Sequence, residues 1–521
     1  MSPLKRVLPA GILLAALAGP AAAQDNVYFG NLHAHTVYSD GSGTPEEAFT
    51  AARNAGLDFI ALTEHSHAAA EGSGDTQQIH IATDRSLYNG SRPDSLISAA
   101  RRHTVPGRFV AIYGQEYSSI AKGNHVNVFE VPDVIDVPNT KFRDLIDWTA
   151  RHPDSQGRPA LLQLNHPALA DEEALEYGKD DFGTPEAWVR AMDAQAELIE
   201  VFNGPAKARH GGLRSAAVQE SDYYYYLNLG FHLAPSVGHD NHYRTWGSVT
   251  DARVAVIAPQ LTKEAVLGAL RARHAYATSD KNLRLVLRSA GALQGDIVAS
   301  SPAVGSDLPL TLSIKDDDEP NAAYRVDVFS DLPGGDPING RRPSNSYSVR
   351  GNTSAPIVLD GVPFERAGQY VLVRVKQLRG AGEDEGDEPD SAWTAPIWFG
   401  GVAPGPADGP LAPASPAPSL RLTRVLPDPA GSDFRDEKVW LRNESSASID
   451  LAGWVLADLA GNLWRLQGIL AAGQERALVR NGQALSLNNG GDQLELRDPA
   501  GAIVQTATYG PARPNQELPL R

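Results

Sequence analysis

Cysteine is absent from all 521 residues. No disulfide can staple the fold, no thiolate can ligate a metal, and no Cys nucleophile is available. Basic charge is also in short supply: 46 Lys and Arg face 63 Asp and Glu, a formal net charge of -17. A surface of that sign has few groups to displace phosphate counterions, so non-specific nucleic-acid binding is disfavoured. Long apolar runs are missing as well. The longest, Val7–Leu17, falls short of the roughly 20 residues a membrane helix needs. Neither a phosphate-cradling glycine loop followed by Lys nor a G-x-S-x-G nucleophile elbow occurs.

What is present is ordinary globular composition, 42% hydrophobic and 21% charged, on a chain long enough for two to four domains. Lys5 and Arg6, the apolar run and Ala21-Ala22-Ala23 together form a secretory signal pattern over residues 1–23. Its cleavage predicts a periplasmic or secreted protein with no transmembrane span. From 24 to 282, short apolar runs alternate with helix-like stretches: Val27–Leu32, Asp58–Thr63, Phe109–Tyr113, Ala160–Leu164, Glu197–Phe202 and His232–Val237 are strand candidates. Thr44-Pro45-Glu46-Glu47 is a capping-box start for a helix running to Asn54, with Gly56 as its stop. Leu261–Arg273 predicts another helix. Strands separated by helices imply parallel pairing, hence an α/β sheet or barrel.

From 283 to 400 the period falls to two, as in Leu308–Ile314, Tyr324–Phe329 and Gln369–Lys376, the pattern of a β-sandwich. Residues 401–419 are rich in Pro, Ala and Gly and form a candidate linker. A second small all-β domain follows at 420–512.

The chemistry-bearing residues sit where the candidate strands end. NLHAHTVYSDG places His33 and His35 two apart, on one face of an extended segment, with Asp40 on the loop beyond. Alone, such a pair is equally a surface or hydrogen-bonded histidine pair. LTEHS then puts His65 at the end of the second strand, and YGQEYS puts Glu116 at the end of the third. His125 follows in GNHVNVF, His166 in QLNHPA, and Asp240 and His242 in SVGHDNH. Parallel strands gather their C-terminal ends on one rim, so these nine residues are expected to converge. Packing so many imidazoles and carboxylates together is costly without a cation, and bound metal is the natural compensation. Lys122, Arg209 and Arg244 lie near these motifs and could neutralise an anionic substrate or be surface charge.

The order NLHAHTVYSDG, LTEHS, YGQEYS, GNHVNV, LNHPA, GHDNH resembles the PHP family, named for polymerase and histidinol phosphatase, over about half the chain. ARHAYATSD at 272–280 additionally resembles its carbaryl-hydrolase-like branch. The resemblance implies a distorted seven-stranded (β/α) barrel, here followed by two all-β sandwich domains. It implies two or three divalent ions (Zn, Mn or Fe), with His33, His35, Glu116 and Asp240 as the catalytic core holding one. Glu116 would bridge to a second, completed by His125 and His166, while Asp40, His65 and His242 would hold the third. Many relatives carry Asp where this chain has Glu64, and the role of Glu64 stays open. Neighbouring dications acidify water and polarise an electrophile, so a small-molecule hydrolase is expected, with phosphate esters favoured. Carbamate, amide or ester hydrolysis on the same site is the first alternative. A non-catalytic, metal-binding surface protein is the second. Near the C-terminus, residues 438–462 and 491–510 resemble the lamin-tail domain, an immunoglobulin-like sandwich that could tether the protein to a cell surface.

Overall fold

The computed structural model describes residues 25–67, 79–118, 125–138, 141–154, 157–167, 182, 185–213, 217–333, 343–378, 389–401, 420–445, 448–451, 454–458, 462–480, 483, 485–498 and 503–520. The expected signal segment, Lys122 and nearly all of the 401–419 stretch lie outside the described residues. The first half is a mixed α/β structure. Its strands are β1 (Asn26–Asn31), β2 (Phe59–His65), β3 (Val110–Tyr117), β4 (Val126–Phe129), β5 (Leu161–Leu164), β6 (Ala196–Asn203), β7 (Ala217–Val218), β8 (Ala234–Gly238), β9 (Arg253–Ala258) and β10 (Ala275–Thr278).

Neighbours β1–β2, β2–β3, β5–β6 and β6–β8 pair in parallel. The parallel pairing expected from sequence does not hold throughout. No described helix separates β3 from β4, so the chain turns back and β4 runs antiparallel to both β3 and β5. Strands β9 and β10 likewise pair antiparallel, β9 against β1 and β10 against β9. Six strands (β1, β2, β3, β5, β6 and β8) therefore point the same way. The ends of this path meet beyond β1 and β8, where Ala34 and Asn241 form a parallel bridge.

Local signals account for the helices around this sheet. Helix Pro45–Asn54 starts as its capping box dictates, with Thr44 and Glu47 bonding reciprocally, and buries Ala48, Phe49 and Ala52. Its exit turn uses Gly56 at φ 89°. Helix Lys263–Arg271 opens on Thr262 and buries Val266, Leu267 and Leu270. The strands themselves are continuous apolar runs buried along their length, as sheets covered on both faces require.

The sheet does not stop at residue 282. β10 pairs antiparallel with Ser391–Thr394, which pairs with Gln369–Leu378, and that strand in turn with Ala323–Asp331. The second half also folds Arg284–Ser289, Leu310–Lys315 and Ile357–Leu359 into a separate antiparallel sheet. One core lies between them. Val27, Phe29, Ala255, Ile257 and Tyr276 from the first half pack with Leu285, Leu312, Val326, Val373 and Phe399. Farther along, two four-stranded sheets, one containing Lys438–Asn443 and one containing Val455–Asp458, enclose Leu441, Trp454, Leu456, Trp464 and Leu494. Among the described residues no helix is long and apolar enough to cross a membrane.

A chain ending at 282 would strip β10 of a hydrogen-bonded neighbour and expose Phe29, Ile257 and Tyr276. At about 1.5–3 kcal/mol for each large apolar side chain, that loss is comparable to a domain's whole stability. Residues 25–282 expressed alone are expected to aggregate, while 25–401 stays monodisperse and melts cooperatively. Size-exclusion chromatography and thermal denaturation check this; a monomeric 25–282 with an unchanged melting temperature would contradict the shared core.

Candidate metal centre

The common strand direction brings every expected ligand to one rim. His33 and His35 lie just beyond β1, His65 closes β2, and Glu116 is the penultimate residue of β3. His125 immediately precedes β4, which runs the other way and so begins at the same edge. His166 follows β5, and Asp240 and His242 follow β8. Two of these, His166 (φ 27°) and Asp240 (φ 49°), adopt left-handed backbone conformations that side-chain-bearing residues rarely take. At these two positions the surrounding contacts hold a conformation the residues would not favour alone.

The first group is His33, His35, Glu116 and Asp240. Nε2 of His33 and Nε2 of His35 face one another at 3.2 Å. His33 Nε2 is 3.3 Å from both Glu116 Oε1 and Asp240 Oδ1, and His35 Nε2 is 3.1 Å from Asp240 Oδ1 and 3.4 Å from Glu116 Oε2. Nitrogen and oxygen atoms this close to one another could share a single cation. The second group joins Asp40, His65 and His242 to His35: Asp40 Oδ1 lies 3.4 Å from His65 Nε2, and Oδ2 lies 3.1 Å from His242 Nε2. The third comprises His65, Glu116 and His125, with His125 Nδ1 2.8 Å from Glu116 Oε1. His166 Nε2 approaches the same oxygen at 3.3 Å. Relative to the grouping implied by the family resemblance, His35 also borders the Asp40 group, and His65 reaches toward Glu116.

Ring orientation is set from outside the groups. Nδ1 of His33 meets Glu200 Oε1 at 2.8 Å, Nδ1 of His65 meets Ser118 Oγ at 2.6 Å, and Nδ1 of His242 meets the Asp240 carbonyl at 2.7 Å. With Nδ1–H donating in each, Nε2 is the nitrogen left facing inward, where it can take a proton or, once deprotonated, a cation. The buried atoms His35 Nδ1 and Glu116 Oε2 have no hydrogen-bond partner among the described residues. Orphaned atoms of this kind in so crowded a cluster fit divalent metal as the absent partner.

The electrostatics agree. Burial would lower the His35 pKa, yet the neighbouring carboxylates of Asp240 and Glu116 raise it to about 10. His33 is likewise raised, the carboxylates of Glu116, Asp240 and Glu200 outweighing desolvation. Burial would raise Glu116, but facing His33 and His125 it is held well below the usual carboxylate range. Without metal, the cluster stores protons on its imidazoles to balance its carboxylates.

Several residues fall outside the expected roles. Glu64 is buried, and accepts from Thr36 N, Thr36 Oγ1 and Ser39 Oγ, so it braces the loop carrying Asp40. Arg244 pairs with Glu47 at 2.6 Å and is committed to structure. Arg209 lies over the Tyr243 ring at 4.1 Å, beside His242. His239 is buried against the Ala252 carbonyl and its pKa is lowered by desolvation to about 3, so it stays neutral. His274 pairs with Asp296. Sequence reasoning missed Glu200; the available signal was an acidic residue inside the apolar run of β6. A fourth acidic group, Asp280, Asp316 and Glu319, accepts backbone hydrogen bonds from Asn282, Leu283, Asp318 and Glu319.

Residues 413–511 match the Lamin Tail Domain family model, which includes both stretches that resemble it in sequence. No curated protein matches the chain. Among solved structures, one similar chain is a two-domain protein from Bacteroides vulgatus containing a predicted PHP-like metal-dependent phosphoesterase. It is 18% identical, covers 64% of this chain and 88% of its own, and has a TM-score of 0.36. Another is an amidohydrolase from Chromobacterium violaceum, 14% identical, covering 47% of this chain and 96% of its own, with a TM-score of 0.25.

Because His33 and His35 hold protons that a cation must displace, metal binding releases protons and tightens as pH rises. Calorimetric titration of metal into the apoprotein, in two buffers of different ionisation enthalpy, reads that release directly. Identical heats in both buffers would count against protonated ligands.

Proposed function

We propose that this chain is an exported, metal-dependent hydrolase of the PHP type, acting on small phosphate esters. The observation that carries the reading is a set of nine ligand-type side chains in adjoining groups: two groups share Glu116, His166 approaches the same carboxylate, and the Asp40 group joins them through His35 and His65. A structural ion closes its shell with four ligands; adjoining groups with shared carboxylates suit catalysis instead. On this reading β1–β6 (with β4 reversed) and β8, joined end to end by the Ala34–Asn241 bridge, form the distorted seven-stranded barrel. On the same reading 24–282 supplies the site, 283–400 completes its sheet and core rather than folding apart from it, and 420–512 is a further domain.

His33, His35, Glu116 and Asp240 would hold one cation, Asp40, His65 and His242 another, and Glu116 with His125 and His166 a third. When bound, divalent ions there supply Lewis acidity toward the substrate and lower the pKa of water. The chain's own contribution is to orient the ligands. Glu116 spans the groups: its Oε1 faces His33, His125 and His166, and its Oε2 faces His35 and His65. Asp240, fixed by its own left-handed backbone, turns its carboxylate toward both His33 and His35. Arg209, which stacks on Tyr243 and donates to its hydroxyl in the segment after His242, is the cation we assign to receive an anionic phosphate rather than a neutral carbamate or ester. The lamin-tail segment is proposed as a surface tether.

Three outcomes test this. A panel of chromogenic phosphate mono- and diesters beside carbamate and aryl esters, run with Zn, Mn and Fe, is expected to show phosphate-ester cleavage. Turnover of carbamates or aryl esters alone would move the reading to its alternative, and no turnover with any metal would sink it. His33→Ala or Glu116→Ala is expected to leave a folded protein with at least a hundredfold less activity; near-wild-type rates in metal-replete buffer would refute the ligand assignment. Arg209→Ala is expected to raise KM for phosphate esters several-fold with kcat little changed.

A further inference from the structure

A single buried carboxylate, that of Glu200 in β6, has every near neighbour a donor. Its Oε1 accepts from His33 Nδ1 at 2.8 Å and Gln163 Nε2 at 3.2 Å. Its Oε2 accepts from the backbone N–H of His166 at 2.6 Å and from Asn203 Nδ2 at 2.9 Å. Four donors meet the four lone-pair sites that only an ionised carboxylate offers, and a carboxamide there would turn its NH2 toward two of them. The side chain is fully buried. Room for it depends on Gly238 at the end of β8: a Cβ there would overlap Glu200 Oε1 and approach His33 Cβ to 3.0 Å. Three segments, the extension of β1, the end of β5 and the end of β8, thus close around one carboxylate.

We propose that Glu200 is a positioning residue that sets two metal ligands at once. It holds the His33 ring with Nε2 turned to Glu116 and Asp240, and it anchors the strained His166 backbone that brings the His166 ring to Glu116. The Asp40, His65 and His242 group has no contact with Glu200 among the described hydrogen bonds. Its braces are Glu64 through the Asp40 loop, Ser118 at His65 and the Asp240 carbonyl at His242. Removing the Glu200 charge therefore weakens the groups containing His33 and His166 and spares the other.

This inference rests on the metal-site reading, and metal binding rather than turnover tests it. Glu200→Gln, loaded with Zn and titrated against a competing chelator, is expected to lose tenfold or more in affinity at one class of site and to keep wild-type affinity at another. Its metal-free melting temperature and circular dichroism should remain close to wild type. In histidine labelled with 15N, one ring is expected to lose its fixed Nδ1–H tautomer. Should Glu200→Gln not fold, Asn203→Ala removes one donor without filling space and is expected to weaken zinc in the same direction. A folded Glu200→Gln, or in its place Asn203→Ala, that binds zinc as tightly as wild type would overturn the proposal. Absence of metal binding by the wild-type chain would instead sink the underlying reading.

Discussion

Two imidazole nitrogens face one another at 3.2 Å with carboxylate oxygens on either side, and this buried arrangement favours a shared proton or a cation between them. Lone pairs held that close in a buried space repel, and burial removes the water that would screen them. Protons can fill the role, as the raised His33 and His35 values express, and a divalent cation fills it better. The rest of the rim answers to this constraint. Hydrogen bonds behind His33, His65 and His242 fix which nitrogen looks inward, and the left-handed turns at His166 and Asp240 aim ligands that an ordinary strand exit would misdirect.

Much of this was legible in the residue order because the relevant rules are local. A capping box specifies its helix within four residues, and Thr44–Glu47 did so to the residue. The i, i+2 spacing of His33 and His35 sets their shared face, and His65, Glu116, His166, Asp240 and His242 lay at the ends of apolar runs. The less legible features are long-range. β4 consists of four residues, Val-Asn-Val-Phe, too short to announce itself, and its reversed pairing is with strands on both sides of it. Glu200 lies on β6 far in sequence from His33, and its function is defined by donors on other strands. The partition of His35 and His65 between groups follows from side-chain torsions that spacing does not encode. Most consequentially, a change of hydrophobic period near 283 implied a separate sandwich. Period describes which face of a strand is covered, not which strand lies beside it. The pairing of Ala275–Thr278 with Ser391–Thr394 spans more than a hundred residues of intervening chain.

That pairing also gives the sandwich a place in the support of the site. β10 leans on β9, β9 on β1, and β1 leads directly into His33 and His35. Apolar side chains from β1 and β9 are shared with the sandwich core, so the strand that delivers the first ligands is held from both sides. The rim is rigid because a continuous run of paired strands stands behind it.

Glu116 carries one further consequence. Its two oxygens serve different companions, His33, His125 and His166 on one side, His35 and His65 on the other. Were cations to sit on both sides, one unit of negative charge would be divided between them, and the ion bound first would leave less for its neighbour. Filling would then run as a ladder of unequal affinities, with the last ion to enter the first surrendered when metal grows scarce.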